Sequence, residues 1–298
     1  MKRFLGLILT FMFLSLSFAH QNVTINFALK AGEMPAGCNQ DLMLGSSQAM
    51  TQLLDARLFI SEVMVITSEG EFPLELNQDG QWQYENLALL DFENATGACA
   101  GTPDTHTQIT GETTAEGAIT GVRFTIGVPE SLNHLDAATA PAPLNVTDMW
   151  WVWQSGYKFL RIDLQNQTMK MDMAEESSDH NQDTETGDGH GAANAYFMHL
   201  GSTGCISSDA TIAPDAPCGN SNRFEVTLHN FDPKINTIIL DLNRLLNRVD
   251  VSQSLALEPP GCMSGSTDPD CLALFTTGFG LSLNSGQQVS SATFFRVE

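Results

Sequence analysis

Residues 149–163 read Met149-Trp150-Trp151-Val152-Trp153-Gln154-Ser155-Gly156-Tyr157-Lys158-Phe159-Leu160-Arg161-Ile162-Asp163. Aromatic and β-branched side chains dominate the stretch and alternate in part with period two, which predicts a strand. In an extended strand Met149, Trp151 and Trp153 face one way, while Trp150 and Val152 face the other. Three of the chain's four tryptophans lie here. Two large, oxidisable indoles on one face form either a core anchor or a redox-active patch.

Strand-like runs recur on both sides of this stretch, at 23–30, 57–67, 72–76, 87–92, 118–128, 196–200, 223–231, 237–242 and 292–297. Turns rich in Gly, Asn, Asp and Pro separate them. The best helical candidates, 46–54 and 242–249, are both short. The pattern is all-β and predicts a β-sandwich elaborated by long loops and few short helices. It is read as a single domain over 20–298.

The first nineteen residues read as a secretory signal. Lys2 and Arg3 precede an apolar run, and Ser17-Phe18-Ala19 supplies a small-x-small cleavage site. The mature chain is therefore expected in the periplasm or outside the cell, with no membrane span. The net charge of −22 disfavours nucleic acid and anionic membranes as partners. All six cysteines follow the cleavage point, and an even count in an exported chain reads as disulfides. Cys205 and Cys218 bracket one polar loop and Cys262 and Cys271 another, which leaves Cys38 to Cys99.

One segment breaks the strand pattern. Residues 175–194 hold no large apolar side chain and are dense in acids, Ser, Thr and Gly, as in an exposed loop. Its His180 and His190 are candidate metal ligands, although the acids lack EF-hand spacing. No nucleophile elbow, Walker A loop, zincin motif or dinucleotide fingerprint occurs. The chain is expected not to be an enzyme. The seven histidines include His20, which becomes the N-terminus if cleavage follows Ala19 and then offers an amine and an imidazole to copper. Met169, Met171 and Met173 alternate, so a strand would set three thioethers on one face, either as apolar packing or as soft ligands.

Several segments resemble one family in a single order along the chain. They are Arg57-Leu58-Phe59-Ile60-Ser61-Glu62-Val63, Leu89-Leu90-Asp91-Phe92-Glu93-Asn94 and Arg123-Phe124-Thr125-Ile126-Gly127-Val128-Pro129. Leu132-Asn133-His134, Pro143-Leu144-Asn145, the Trp-x-Trp stretch, His199-Leu200-Gly201-Ser202-Thr203-Gly204-Cys205 and Gly261-Cys262-Met263-Ser264 complete the set. On these the chain resembles the MbnP family of exported copper-binding proteins, the four-Cys member of the metallo-mystery pair. Six cysteines are more than that description implies.

The resemblance implies that the first Trp of Trp-x-Trp is oxidised to kynurenine by a partner di-haem protein of the MauG/cytochrome c peroxidase type. Carried over, that residue is Trp151, followed two positions later by Trp153. Opening the indole leaves an aromatic amine, a copper ligand that unmodified Trp lacks. His134 and His199, within family-like segments, are the implied imidazole ligands, and His20 is a further candidate. The resemblance thus implies a protein of copper homeostasis. Two other readings stand beside it: a secreted β-sandwich module that binds sugar or protein through its Trp patch, and a copper enzyme built on His20.

Overall fold

The spine of the protein is the 19-residue strand Ala49–Thr67, whose side chains alternate in burial at both ends and are buried throughout the middle. The computed structural model describes residues 20–152, 154–167, 194–255 and 259–298. The signal segment, Trp153, the Met169–Met171–Met173 alternation and positions 175–193 of the acidic segment, with His180 and His190, lie outside the described residues.

The spine pairs antiparallel with Gly156–Asn166 along its first half and with Gly121–Ile126 along its second half. Leu87–Asp91, Asp41–Leu44 and Gly70–Pro73 also pair with it along its length. Ala195–Gly201 and then Gly261–Cys262 extend the sheet beyond Gly156–Asn166. A bulge opposite Phe124 shifts the register between Arg123 and Thr125, with Glu62 held at φ 55°. Such an extra residue bends a long strand and lets it serve several partners in turn.

A smaller sheet covers one face. It runs Phe295–Val297, Thr237–Asp241, Gln21–Ala31, Gln108–Thr113, Glu75–Leu76, and its Gln21–Ala31 and Thr237–Asp241 strands are parallel. Phe27 of the small sheet meets Phe124 of the large one edge-on at 5.9 Å, and Phe124 meets Phe295 at 5.4 Å. These contacts belong to one continuous hydrophobic core shared by both sheets. The β-sandwich expected from the alternating runs is the observed fold.

Two local expectations change. Residues 46–54 do not form a helix: the chain turns there and enters the spine at Ala49, with Leu44 paired to Ala49 and Leu42 to Thr51. Ala49 and Leu53 of this segment are buried on the core face of the strand while Met50 stays exposed, and tertiary contact overrides local propensity. The 242–249 segment contributes only the helix Leu242–Leu245, its first turn capped by the Asp241 carboxylate accepting from the Asn243 and Arg244 N–H groups.

The 149–163 stretch is not one strand. A 3₁₀ turn at Thr147–Met149 leads into the short strand Trp150–Val152, and a reversal then returns the chain into Gly156–Asn166. Gly156, at φ 75°, completes that reversal. The expected two-faced alternation is therefore lost. Met149 is fully buried, Trp150 packs against the core, Trp151 is half-buried and Val152 is exposed.

All six cysteines are oxidised, as Cys38–Cys99, Cys205–Cys218 and Cys262–Cys271. The pairing is the one read from spacing. Among the described residues no helix is long and apolar enough to cross a membrane.

Candidate metal centre

The large sheet carries a buried charged array on strands that are otherwise apolar. Antiparallel register sets Asp163 opposite Asp55 and Arg161 opposite Arg57. Like charges facing each other repel, and the arrangement holds because each strand pairs internally. Asp55 accepts from Arg57, and Asp163 accepts from Arg161 Nε at 2.7 Å. A diagonal contact, Arg161 Nε to Asp55 at 3.3 Å, links the two pairs. The 3₁₀ turn closes over them: the Asp148 carbonyl accepts from Lys158 Nζ at 2.8 Å and from Arg161 Nη1 at 3.3 Å.

Burial pushes the Asp55 carboxyl up to about 6 against the pull of Arg57 and Arg161. Burial and the neighbouring Arg161 charge bring Lys158 down to about 8. Asp91, across from Arg57 in the register, is pushed up to about 8, chiefly by burial, with Arg57 opposing and Glu93 adding. A carboxyl raised in the fold lends stability that is complete below its unfolded value and is lost as pH rises through the folded one. Asp91→Asn keeps an acceptor for the Glu93 N–H, which Asp91 Oδ1 binds at 3.1 Å. Urea midpoints of that variant should therefore decline less between pH 5 and 8 than those of the parent, the gap changing by on the order of 2 kcal/mol. Parallel decline in both proteins would refute the assignment.

His199 ends the array. It lies across from Arg161 on Ala195–Gly201, is 4% exposed, and its Nε2 meets Asp163 Oδ1 at 2.8 Å. Burial holds its imidazole below the ordinary histidine value, against the pull of Asp163. Burial also works against the Asp163 carboxylate, but His199 and Arg161 outweigh it and hold that carboxyl low. The other ring nitrogen of His199, Nδ1, is buried with no hydrogen-bond partner. Leaving such an atom unpaired costs about 1–3 kcal/mol. A histidine anchored through one nitrogen by a carboxylate, with the other uncommitted, is the usual arrangement of a metal-ligating imidazole.

The Trp151 ring lies 6.4 Å from the His199 ring, tilted by 49°. Its benzo edge rests on Gly201, where a Cβ would fall 2.5 Å from Trp151 Cζ3 and 2.7 Å from the Tyr157 carbonyl oxygen. Only glycine permits that approach. Trp151 lines an open cleft of about 490 Å³ together with Ser202, Thr203, Cys205 and Met263.

His134 reaches the same neighbourhood from another direction. It follows the short helix Glu130–Asn133, whose Asn133 is fully buried. The Tyr157 N–H donates to Asn133 Oδ1 at 3.1 Å, and Asn133 Nδ2 donates to Ser202 Oγ at 3.5 Å. These bonds tie the helix to the reversal and to the strand end below the cleft. His134 Nε2 lies 3.5 Å from Cys218 Sγ and 3.9 Å from a Glu130 carboxylate oxygen. Neither His134 nor His199 lines the cleft itself, and the two sit in separate side-chain networks, His134 with Asn133 and His199 with Asp163.

His20 is elsewhere. It precedes Gln21–Ala31 on the small sheet, half-exposed, with Nδ1 3.5 Å from Glu112. Asp163, Arg161 and Met263 were not singled out from sequence. The mirrored Asp55-x-Arg57 and Arg161-x-Asp163 pairs, each on one face of an apolar strand, were the signal for the first two. Nothing local marks Met263.

A disulfide-bonded β-sandwich anchors a buried imidazole beside a half-buried indole that lines a cleft, and its histidine and cysteine side chains include groups that could hold a metal ion. The family model for MbnP matches residues 20–264, and the chain belongs to the MbnP family. Its fold is similar to the solved structure of MbnP from Methylosinus trichosporium, with a TM-score of 0.75 and 30% identity over 94% of this chain and 98% of that one. No curated protein matches the sequence.

Proposed function

We propose that this protein is a periplasmic copper-binding protein of copper homeostasis, not an enzyme, and that Trp151 is oxidised to kynurenine by a di-haem partner of the MauG/cytochrome c peroxidase type. The observation that carries the reading is the pairing of Trp151 with His199. A buried imidazole with one unpartnered nitrogen has its ring 6.4 Å from the Trp151 indole, whose opening would supply an amine. Family membership supports the same reading.

Copper would add a borderline-to-soft Lewis acid suited to imidazole and amine donors. The chain's own residues supply the rest. Asp163 fixes the His199 ring through Nε2, and Arg161, itself in contact with Asp55, holds Asp163 in place. Gly201 seats the Trp151 ring, and His134, linked to Ser202 through Asn133, offers a second imidazole. The suppressed basicity of His199 keeps it neutral, the form that ligates.

The binding-module reading draws less support. Trp150 packs into the core while Trp151 enters the cleft, so these two indoles do not make a shared platform. The experiment is to produce the chain with and without the di-haem partner and to measure both peptide masses and metal content. The expected result is copper only in protein whose Trp151 peptide has gained one oxygen and lost one carbon. Equal copper in both preparations would overturn the role of the modification.

A further inference from the structure

We propose that the Cys205–Cys218 disulfide masks a second, redox-gated metal site: reduction would convert it and His134 into a two-thiolate, one-imidazole site for a soft or borderline ion such as Cu(I) or Zn(II). The inference shares His134 with the copper reading above but requires neither kynurenine nor His199.

Each of the three disulfides has a third donor beside it, with the three ligand atoms lying within 4.8 Å of one another. Two of these donors are carboxylates already committed to the backbone. Glu93 accepts from the Ala95 and Thr102 N–H groups beside Cys38–Cys99, and Asp268 accepts from the Met263 and Asp270 N–H groups beside Cys262–Cys271. Among the described residues only Cys205–Cys218 is flanked by an imidazole. Asn133 Nδ2 donates to His134 Nε2 at 3.2 Å, so Nε2 is the unprotonated ring nitrogen, from which a metal would displace the single amide donor, and that atom faces Cys218 Sγ at 3.5 Å. Zn–S bonds of about 2.3 Å and Zn–N bonds of about 2.0–2.1 Å at the tetrahedral angle place S and N about 3.5 Å apart. The nitrogen and one sulfur already have that separation.

Access and chemistry are consistent. Cys205 lines the open cleft beside Trp151, so a small dithiol can reach its sulfur. The exchange balances simply. A dithiol thiolate attacks one sulfur of the bridge, and its second thiol then displaces the resulting mixed disulfide. The donor leaves oxidised by two electrons, and Cys205 and Cys218 are left as thiols. Metal binding then releases both thiol protons to solvent. Because thiolates and imidazole suit soft and borderline ions, the site would exclude calcium and magnesium.

The test uses full-length mature protein made without the di-haem partner, so that the kynurenine-dependent site is incomplete and its failure leaves this result untouched. Co(II) serves as the probe. After mild reduction one equivalent should bind with thiolate-to-cobalt charge transfer and tetrahedral ligand-field bands, and oxidised protein should show neither. The Cys205→Ser/Cys218→Ser double variant should lose the signal, and His134→Ala should weaken binding by at least about tenfold. An undiminished signal in the double variant would assign the thiolates to another bridge and overturn the proposal. If reduction unfolds the chain, the Cys205→Ser variant presents the Cys218 thiol to His134 without reductant and with the other two bridges intact. A cobalt–thiolate band is expected there, and its absence overturns the proposal as well.

Discussion

Protein carrying His199→Ala, co-produced with the di-haem partner, is expected to emerge folded but with copper at background level. Trp151→Phe should behave the same way, since phenylalanine cannot be converted into an amine ligand. Among the described residues His199 offers the one buried imidazole nitrogen left without a partner, and its removal leaves Asp163 still bound to Arg161 at 2.7 Å. The fold should therefore survive at a cost of about 1.5–3 kcal/mol, the usual worth of a hydrogen bond to a charged group. Asp163→Asn keeps an acceptor for His199 but removes its charge, so copper affinity should fall about 10–100-fold rather than vanish. His106→Ala and His229→Ala are the controls. His106 stacks on Trp82 at 5.2 Å with its Nδ1 held by the Leu89 carbonyl, and His229 lies exposed at the end of Phe224–His229. Metal analysis beside circular dichroism reads all five variants. Full copper occupancy in His199→Ala would remove this site from consideration.

Asp163→Ala should be the most destabilising single change in the charged array, by about 3–5 kcal/mol in urea with disulfides intact. Asp163 is 1% exposed and receives bonds from both Arg161 and His199. Without it the Arg161 guanidinium keeps the diagonal Asp55 contact, the Asp148 carbonyl and a 3.9 Å approach to the exposed Asp148 carboxylate, and a buried cation is left partly unneutralised. Asp163→Asn restores the shape and one acceptor and should cost less, about 1–3 kcal/mol. The pH dependence gives an independent check. The Asp163 carboxyl is held below its unfolded value, so its contribution is complete above about pH 4 and is lost as pH falls through the folded value. The difference between parent and Asp163→Ala should narrow on that side. A loss below about 1 kcal/mol at pH 7 would mean that the array is not held by this carboxylate.

The sheet content was legible because alternation of apolar and polar side chains is a local property of strands, and most of the runs marked from sequence are strands in the fold. The disulfide pairing was legible because two pairs bracket short loops and leave one remainder. The family was legible from ordered segments spread across the chain. What the sequence could not determine is direction. The reversal at Gly156 depends on Asn133 beneath it, where the backbone passes so closely that a Cβ at 156 would fall 2.4 Å from the Asn133 carbonyl oxygen. That contact is made by a residue twenty-three positions away, and it sends Trp150 to the core and Trp151 to the cleft. The charged array shows the same limit. Asp55-x-Arg57 and Arg161-x-Asp163 are visible as pairs, but only the antiparallel register between their strands brings four charges and His199 into one buried network. Local pattern fixed which side chains are buried; long-range pairing decided which of them meet, because register is set by the whole sheet and not by any one strand.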